Sequence, residues 1–284
     1  MRAILTGLIY GILEGLTEWL PVSSTGHLIL LRQVLPPVES DFFALFEVMI
    51  QLGAMAAVPL LYFNLLWPVG RLSVDKTSAD GAKKTGFFWR RDVLALWRKI
   101  LIAALPAALF GFWLDDWLER YLFRVPVVAA MLILYGVLFL LPLAKRPATV
   151  RDTAGISPRH AAGVGVFQVL SLVPGTSRSG ATIFGGLLLG LDRPTAAVFS
   201  FLLGVPVMAG ASALRTVRYF AGGGSLTGEQ MVLLSSGTLT AFLLSLLVLR
   251  TLTAFVRRHS FAGFGVYRIL LGAAVLILYF RQKF

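Results

Sequence analysis

The chain has 284 residues, of which 57% are hydrophobic and only 14% are charged, and it contains no cysteine. Soluble domains usually carry about 25% charged residues, so the composition argues against an ordinary soluble domain. The missing cysteine excludes disulfides, thiolate metal sites and cysteine nucleophiles. The net charge of +12 is concentrated in loops, which favours membrane topology and contact with anionic lipid over nucleic-acid binding.

The first segment, Met1–Pro37, contains two short apolar arms joined at Pro21. Each arm is shorter than the roughly 20 residues that cross a bilayer as a helix. Glu14 and Glu18 interrupt the first arm, and no small-residue cleavage site follows it, so the segment does not resemble a cleaved signal peptide. We expect a re-entrant helix–loop–helix hairpin, surrounded by protein or by a water-filled cavity.

Six further apolar runs approach the length of a membrane-spanning helix. They are Phe42–Leu66, Val93–Leu114, Val125–Leu143, Thr195–Leu214, Met231–Leu249 and Gly263–Phe280. Basic residues crowd the linkers 67–99 and 144–160, whereas the loop Asp115–Arg124 is balanced in charge, so we expect both linkers in the cytoplasm. Alternating crossings then leave Met1–Pro37 and His160–Leu191 each beginning and ending on one side, which predicts a second hairpin.

An internal repeat connects the two predicted hairpins. At a constant offset of 153 residues, Pro21 aligns with Pro174 and Ser24 with Ser177, so PVSSTGH overlays PGTSRSG. Three crossings separate the hairpins, so the two halves would be inverted, as in transporter folds whose sites lie where the repeats meet.

The predicted fold class is therefore all-α, a polytopic membrane protein with six transmembrane helices plus two re-entrant hairpins. Residues 1–284 would form a single integral membrane domain. Its inverted-topology repeat would comprise residues 1–145 and 154–284.

Two carboxylates in the first hairpin mark a candidate metal site. Glu14 and Glu18 are four residues apart, so on a helix they lie on one face, one turn apart. Each would cost on the order of 3 kcal/mol facing lipid, so we expect them to face a polar cavity. Their oxygens suit a divalent cation, Mg²⁺ or Ca²⁺. The alternative is a shallow hairpin with both acids near the lipid headgroups.

A histidine lies among hydroxyl groups at the predicted break of the first hairpin. His27 follows Ser24 by three residues and Thr25 by two. It could act as a general base or acid, or accept a phosphoryl group itself, and either hydroxyl could be the nucleophile that it activates.

The second hairpin offers an anion site. Arg178 is a guanidinium at membrane depth, and its planar fork of donors matches phosphate. Ser177, Ser179 and Thr182, with backbone N–H groups ahead of a helix, would complete a cradle. The alternative is a structural ion pair between Arg178 and one of the two glutamates of the first hairpin.

Glu47 and Gln51 are two more polar residues in an apolar run. They could extend the polar cavity or form hydrogen bonds to the hairpin loops. We count Gln51, with Ser23 and Thr25, among the candidates for binding phosphate.

Four stretches of the sequence resemble one family over essentially the whole chain. Glu14–His27 (EGLTEWLPVSSTGH) and Pro174–Thr182 (PGTSRSGAT) look like the signature motifs of undecaprenyl-diphosphate phosphatases of the bacitracin-resistance type, and Phe46–Gly53 and Phe199–Leu203 fit the same family. One departure is Val198, where many members have glutamate.

The resemblance implies hydrolysis of undecaprenyl diphosphate to undecaprenyl phosphate and inorganic phosphate, which recycles the carrier for cell-wall glycans. It also implies a homodimer in the bacterial inner membrane, a site facing the periplasm, a divalent cation, and bacitracin competing by sequestering the substrate. In the matching motifs, the resemblance gives the paired-acid role to Glu14 and Glu18. It gives the nucleophile and general-base roles to Ser24 and His27, and the phosphate-binding role to Arg178 with Ser177.

A polyprenyl-phosphate transporter or flippase is the alternative function, because inverted repeats suit alternating access. A carrier does not need a hydroxyl nucleophile beside a histidine. The pair Ser24 and His27 therefore favours the enzyme.

Overall fold

The computed structural model describes residues 1–35, 38–73, 85–141 and 147–281. These residues are mainly helical, and a short 3₁₀ turn, Leu170–Leu172, follows the eighth helix. The helices are α1 (Arg2–Thr17), α2 (Ser24–Val34), α3 (Ser40–Met55), α4 (Ala57–Leu61), α5 (Phe63–Leu66), α6 (Arg91–Leu122), α7 (Val125–Leu140), α8 (Pro158–Val169), α9 (Arg178–Leu188), α10 (Arg193–Ala221), α11 (Gly228–Arg258) and α12 (Ala262–Phe280).

Five helical stretches among the described residues are long and apolar enough to cross a membrane. They are Ser40–Leu61, Arg91–Leu114, Arg193–Ala221, Gly228–Arg258 and Ala262–Phe280. The chain is therefore a multi-pass helical membrane protein, as the composition predicted. The sixth predicted span, Val125–Leu143, is the apolar helix α7, whose 16 residues are fewer than in any of the five.

The predicted run Phe42–Leu66 is not one helix, because α3, α4 and α5 divide it. Pro59 lies inside α4 and has no N–H to donate to the carbonyl of Met55 four residues earlier. This missing hydrogen bond accounts for the end of α3 at Met55.

The linker predicted over residues 67–99 contains regular structure that the all-α prediction missed. Strands β1 (Val69–Ser73) and β2 (Thr85–Trp89) pair antiparallel with Val69 opposite Trp89. Helix α6 begins at Arg91, so about the last quarter of the predicted linker is helical. Lys76, Lys83 and Lys84 of this linker, and Lys145 and Arg146 of the second, lie outside the described residues.

Both predicted hairpins contain two helices with a break between them. We call residues 18–23, between α1 and α2, the first loop, and residues 173–177, before α9, the second loop. Each loop ends on a serine with positive φ, Ser23 at 71° and Ser177 at 73°, the only such non-glycine residues in the described ranges. The hydroxyl of each serine accepts the N–H of the glycine three residues on, Gly26 at 3.3 Å and Gly180 at 3.1 Å, which caps the following helix.

These caps correct the predicted repeat by one residue. Ser23 and Ser177 are equivalent and 154 residues apart, so Ser24 corresponds to Arg178 and not to Ser177. The proline alignment misplaced the serines because the second loop has one residue more between its proline and its cap. The offset returns to 153 at Glu39 and Asp192, the N-caps of α3 and α10.

Close packing fixes the first hairpin against the rest of the bundle. Helix α1 packs on α11, and α8 packs on α6. Gly7, Gly11 and Gly15 face α11, and a Cβ atom at Gly11 would collide with the carbonyl oxygen of Gly237. Small residues of this kind let two helix backbones approach closely.

Candidate active site

The start of α9 is in direct contact with the first loop. The hydroxyl of Ser179, in the first turn of α9, lies 3.1 Å from the carbonyl oxygen of Glu18 and 3.3 Å from that of Leu20. It also lies 3.1 Å from the hydroxyl of Ser177. Residues that are about 160 positions apart in sequence therefore meet at one site.

A buried chain of three side chains connects the hairpins. Nη2 of Arg178 lies 2.9 Å from Oε1 of Glu18, and the hydroxyl of Ser24 donates to Oε2 of the same carboxylate at 2.7 Å. All three residues are at most 8% exposed. Removing one partner of such a buried ion pair typically costs about 3–5 kcal/mol, so each half of the pair fixes the other.

The guanidinium of Arg178 is bonded to α10, and its Nε–H is not used in a hydrogen bond in the described structure. Nη1 donates to the carbonyl oxygen of Ser200 at 2.7 Å, and the group lies 5.9 Å from the ring centre of Trp19. Gly204 provides the room, because a Cβ there would collide with the guanidinium. Nε of Arg178 is buried without a hydrogen-bond partner in the described structure, so the group can still donate to a ligand.

Thr182 supports this arrangement from behind. Its hydroxyl lies 2.9 Å from the carbonyl oxygen of Arg178 and 2.6 Å from the hydroxyl of Ser200. In the structure Thr182 therefore ties α9 to α10, whereas the sequence predicted it in a phosphate cradle.

Both ring nitrogens of His27 bond groups other than Ser24, the partner predicted for it in a nucleophile–base pair. Its Nδ1 lies 2.7 Å from the carbonyl oxygen of Ser23, and its Nε2 lies 2.6 Å from the hydroxyl of Tyr267. Because a carbonyl only accepts, Nδ1 carries the proton in the neutral ring and Nε2 accepts from the tyrosine. Ser24 is the first residue of α2, where side chains point back towards the preceding turn, so its hydroxyl meets Glu18 instead.

Glu14 has a different environment from Glu18. Its side chain is fully buried, and neither carboxylate oxygen has a hydrogen-bond partner among the described residues. Burying an unpaired carboxylate costs far more than burying a paired one, so a proton or a cation must satisfy it. No group of three or more His, Cys, Asp or Glu in the described ranges could hold a metal ion.

Thr25 and Gln51 line a pocket of about 330 Å³. Arg32, Arg215 and Glu47 line the same pocket, which therefore contains cations as well as hydroxyl and amide groups. Thr25 follows Ser24 of the buried chain directly in the sequence. Val198, the departure from the family pattern, is partly buried and packs against the hydrophobic core.

Two residues of α12 that were not predicted from the sequence reach the site, Tyr267 through His27 of α2 and Arg268 through both loops. Tyr267 bonds His27, and their rings stack with centroids 5.7 Å apart. Arg268 is fully buried and bonds carbonyl groups of both loops. The sequence does contain a signal for Arg268, which is a lone arginine in the apolar run Gly263–Phe280. Ionisable residues at membrane depth are rare and usually functional.

The fold and the site together define a class of protein. It is a multi-pass helical membrane protein in which a buried chain of Arg, Glu and Ser side chains lies between two helix starts, each capped by a serine. The profile of the family described as "Bacitracin resistance protein BacA" matches residues 7–274. The chain belongs to this family.

Curated relatives match nearly the full length. The chain is 46% identical over 277 residues to an undecaprenyl-diphosphatase of Streptococcus thermophilus, covering 96% of this chain and 92% of the relative. It is 45% identical to the protein of that name from Lactococcus lactis subsp. cremoris, covering 95% of each. Against that of Lacticaseibacillus paracasei the identity is 43%, over 99% of this chain and 100% of the relative.

Proposed function

We propose that this chain hydrolyses undecaprenyl diphosphate to undecaprenyl phosphate and inorganic phosphate, and so contributes to bacitracin resistance. The name and family of its relatives supply the substrate. The observation that carries the proposal is the buried chain in which Arg178 and Ser24 share the carboxylate of Glu18. An anion-binding guanidinium beside a hydroxyl nucleophile and its base is the arrangement that this hydrolysis would need.

Substrate binding activates the base. In the structure Arg178 pairs with the carboxylate of Glu18. When the terminal phosphate takes over the guanidinium fork, Glu18 is released to accept the proton of Ser24. The serine oxygen then attacks phosphorus, and the bond to the bridging oxygen breaks, which frees undecaprenyl phosphate.

The second half of the reaction returns the enzyme to its starting state. Water attacks the phosphoserine and both of its protons stay on the departing phosphate, while Glu18 returns its proton to the serine oxygen as the phosphorus–serine bond breaks. This gives inorganic phosphate, Ser24 and an ionised Glu18. Arg178 stabilises the charge on the phosphoryl oxygens in both steps. His27, which is bonded to Ser23 and Tyr267, holds the first loop in this scheme, and its attack on phosphorus is the alternative that the sequence left open.

Glu14 and Glu18 are the residues that would hold a divalent cation, Mg²⁺ or Ca²⁺. The unpartnered oxygens of Glu14 and the hard oxygen chemistry of both ions support this assignment. The bound cation would supply positive charge to the phosphate oxygens.

The phosphate-binding set around Arg178 comprises Ser177 and Ser179 of the second hairpin, and Ser23, Thr25 and Gln51 of the first half. Ser23 and Ser177 act through the caps that orient α2 and α9. Thr25 and Gln51, with the arginines of their pocket, lie where the remaining part of the diphosphate head would sit.

The chain would be a single membrane domain with inverted halves, 1–145 and 154–284. It would have six spans, two re-entrant hairpins and cytoplasmic basic linkers. The exchange of packing partners supports this: α1 packs on α11 as α8 packs on α6, while α7 pairs with α12 and α3 with α10.

The protein would be an inner-membrane homodimer with its site facing the periplasm, where bacitracin would compete for the substrate. The same symmetry keeps lipid flipping as a second candidate function.

Phosphate release from a polyprenyl diphosphate by the purified protein tests the function. We expect release with Mg²⁺ or Ca²⁺ and its loss with a chelator, restored by adding the cation back. Release that persists in chelator would remove the metal role of Glu14 and Glu18. No release with any divalent cation, together with transport in liposomes, would favour the flippase.

A further inference from the structure

Arg268 of α12 forms hydrogen bonds to both loops. Its side chain is 0% exposed. Nη1 donates to the carbonyl oxygen of Pro21 at 3.0 Å, and Nη2 lies 2.8 Å from that of Gly175 and 3.0 Å from that of Thr176. One guanidinium thus bonds the first loop and the second loop at the same time.

The same group is anchored on α7. Nη2 lies 3.2 Å from the carbonyl oxygen of Met131, and Nε lies 3.4 Å from that of Leu132. The ring of Tyr135 lies 5.5 Å from the guanidinium carbon. Every hydrogen-bond acceptor of Arg268 in the described structure is a backbone carbonyl, so the residue is held by dipoles and not by an acid.

The loops need such a support. Thr176 precedes Ser177 directly, and Pro21 lies two residues before Ser23, and both serines have a strained positive φ. Strain of this kind persists only where the surroundings fix the backbone. Carbonyl groups in a loop at membrane depth also lack helical partners and must find donors elsewhere. Arg268 provides donors to both loops at once, and a lysine could not, because its ammonium is a single point.

We propose that Arg268 is a positioning residue for the phosphatase reaction. By fixing the carbonyl groups of both loops, it sets the separation between the pair Ser24 and Glu18 on one hairpin and Arg178 on the other. It touches neither substrate nor nucleophile. This inference rests on the proposed function, and it adds a residue on a third helix to the requirements of the site.

The test compares Arg268→Lys with Arg258→Lys, a matched change at an exposed arginine at the end of α11. A misplacement of about 1 Å can cost roughly 10²-fold in rate. We therefore expect Arg268→Lys to lower kcat by about 100-fold with KM within about threefold, and Arg258→Lys to match the wild type. A kcat of Arg268→Lys within about threefold of wild type would overturn the proposal.

Hydrogen exchange of the same proteins gives a readout that does not depend on activity. We expect Arg268→Lys to speed exchange in peptides covering residues 18–28 and 174–182, while peptides from α7 and α12 keep their protection. Uniform loss of protection, or no folded protein, would overturn the proposal by assigning Arg268 to the stability of the whole bundle. Loss of the proposed function looks different: the wild type would release no phosphate while the local exchange effect remained.

Discussion

At the scale of single residues, the site depends on one carboxylate with two partners. Glu18 accepts the hydroxyl of Ser24 and pairs with Arg178, and all three side chains are buried. The sequence identified all three residues because ionisable and hydroxyl groups in apolar surroundings need a reason to be there. It paired Ser24 with His27 instead of Glu18, because spacing along the chain does not show which way a side chain at a helix start will point.

Replacing Arg178 by lysine tests the guanidinium fork. Nη1 and Nη2 bond different acceptors in the structure, Ser200 and Glu18, and an ammonium cannot hold both while receiving a phosphate. We expect Arg178→Lys to lower phosphate release by at least about 100-fold, in the range for the loss of a preorganised anion-binding donor. The control is Arg250→Lys, at an exposed position of α11. Near-normal release by Arg178→Lys would contradict the phosphate-clamp role.

At the scale of elements, two helices begin in the same unusual way. Ser23 and Ser177 each cap a helix with positive φ, which brings the first turns of α2 and α9 to one site. The sequence predicted both breaks from their prolines and hydroxyl groups. It could not place the caps, because adjacent serines such as Ser23 and Ser24 satisfy a sequence alignment equally well and only the backbone distinguishes them.

Packing of α1 on α11 is also an element-scale requirement, and a pair of glycines tests it. A Cβ at Gly11 would collide with the backbone of Gly237, whereas one at Gly210 of α10 would meet nothing within 4 Å. We expect Gly11→Ala to lower the melting temperature by several degrees. Gly210→Ala should leave it unchanged or raise it slightly, because alanine favours a helix by about 1 kcal/mol over glycine. Equal melting temperatures for the two variants in detergent would contradict the close packing of the first hairpin.

At the scale of the whole molecule, composition alone predicted a multi-pass helical membrane protein. The small sheet of β1 and β2 and the division of residues 42–66 into three helices were missed, since hydropathy reports burial in lipid and not local breaks. The contact between the start of α9 and the first hairpin joins residues about 160 positions apart. The ion pair of Arg178 with a glutamate of the first hairpin was an alternative that the sequence offered, and the structure has it with Glu18. The part of Arg268 was not expected at all.

In the proposed function, Ser24 is the nucleophile of a phosphatase site at the meeting of the two hairpins. The most direct measurement is phosphate release from a polyprenyl diphosphate by Ser24→Ala in liposomes. Its control is Ser235→Ala, at an exposed serine that bonds only carbonyl groups of its own helix. We expect Ser24→Ala to release no phosphate above background and Ser235→Ala to match the wild type. Turnover by folded Ser24→Ala at a rate close to that of Ser235→Ala would contradict it.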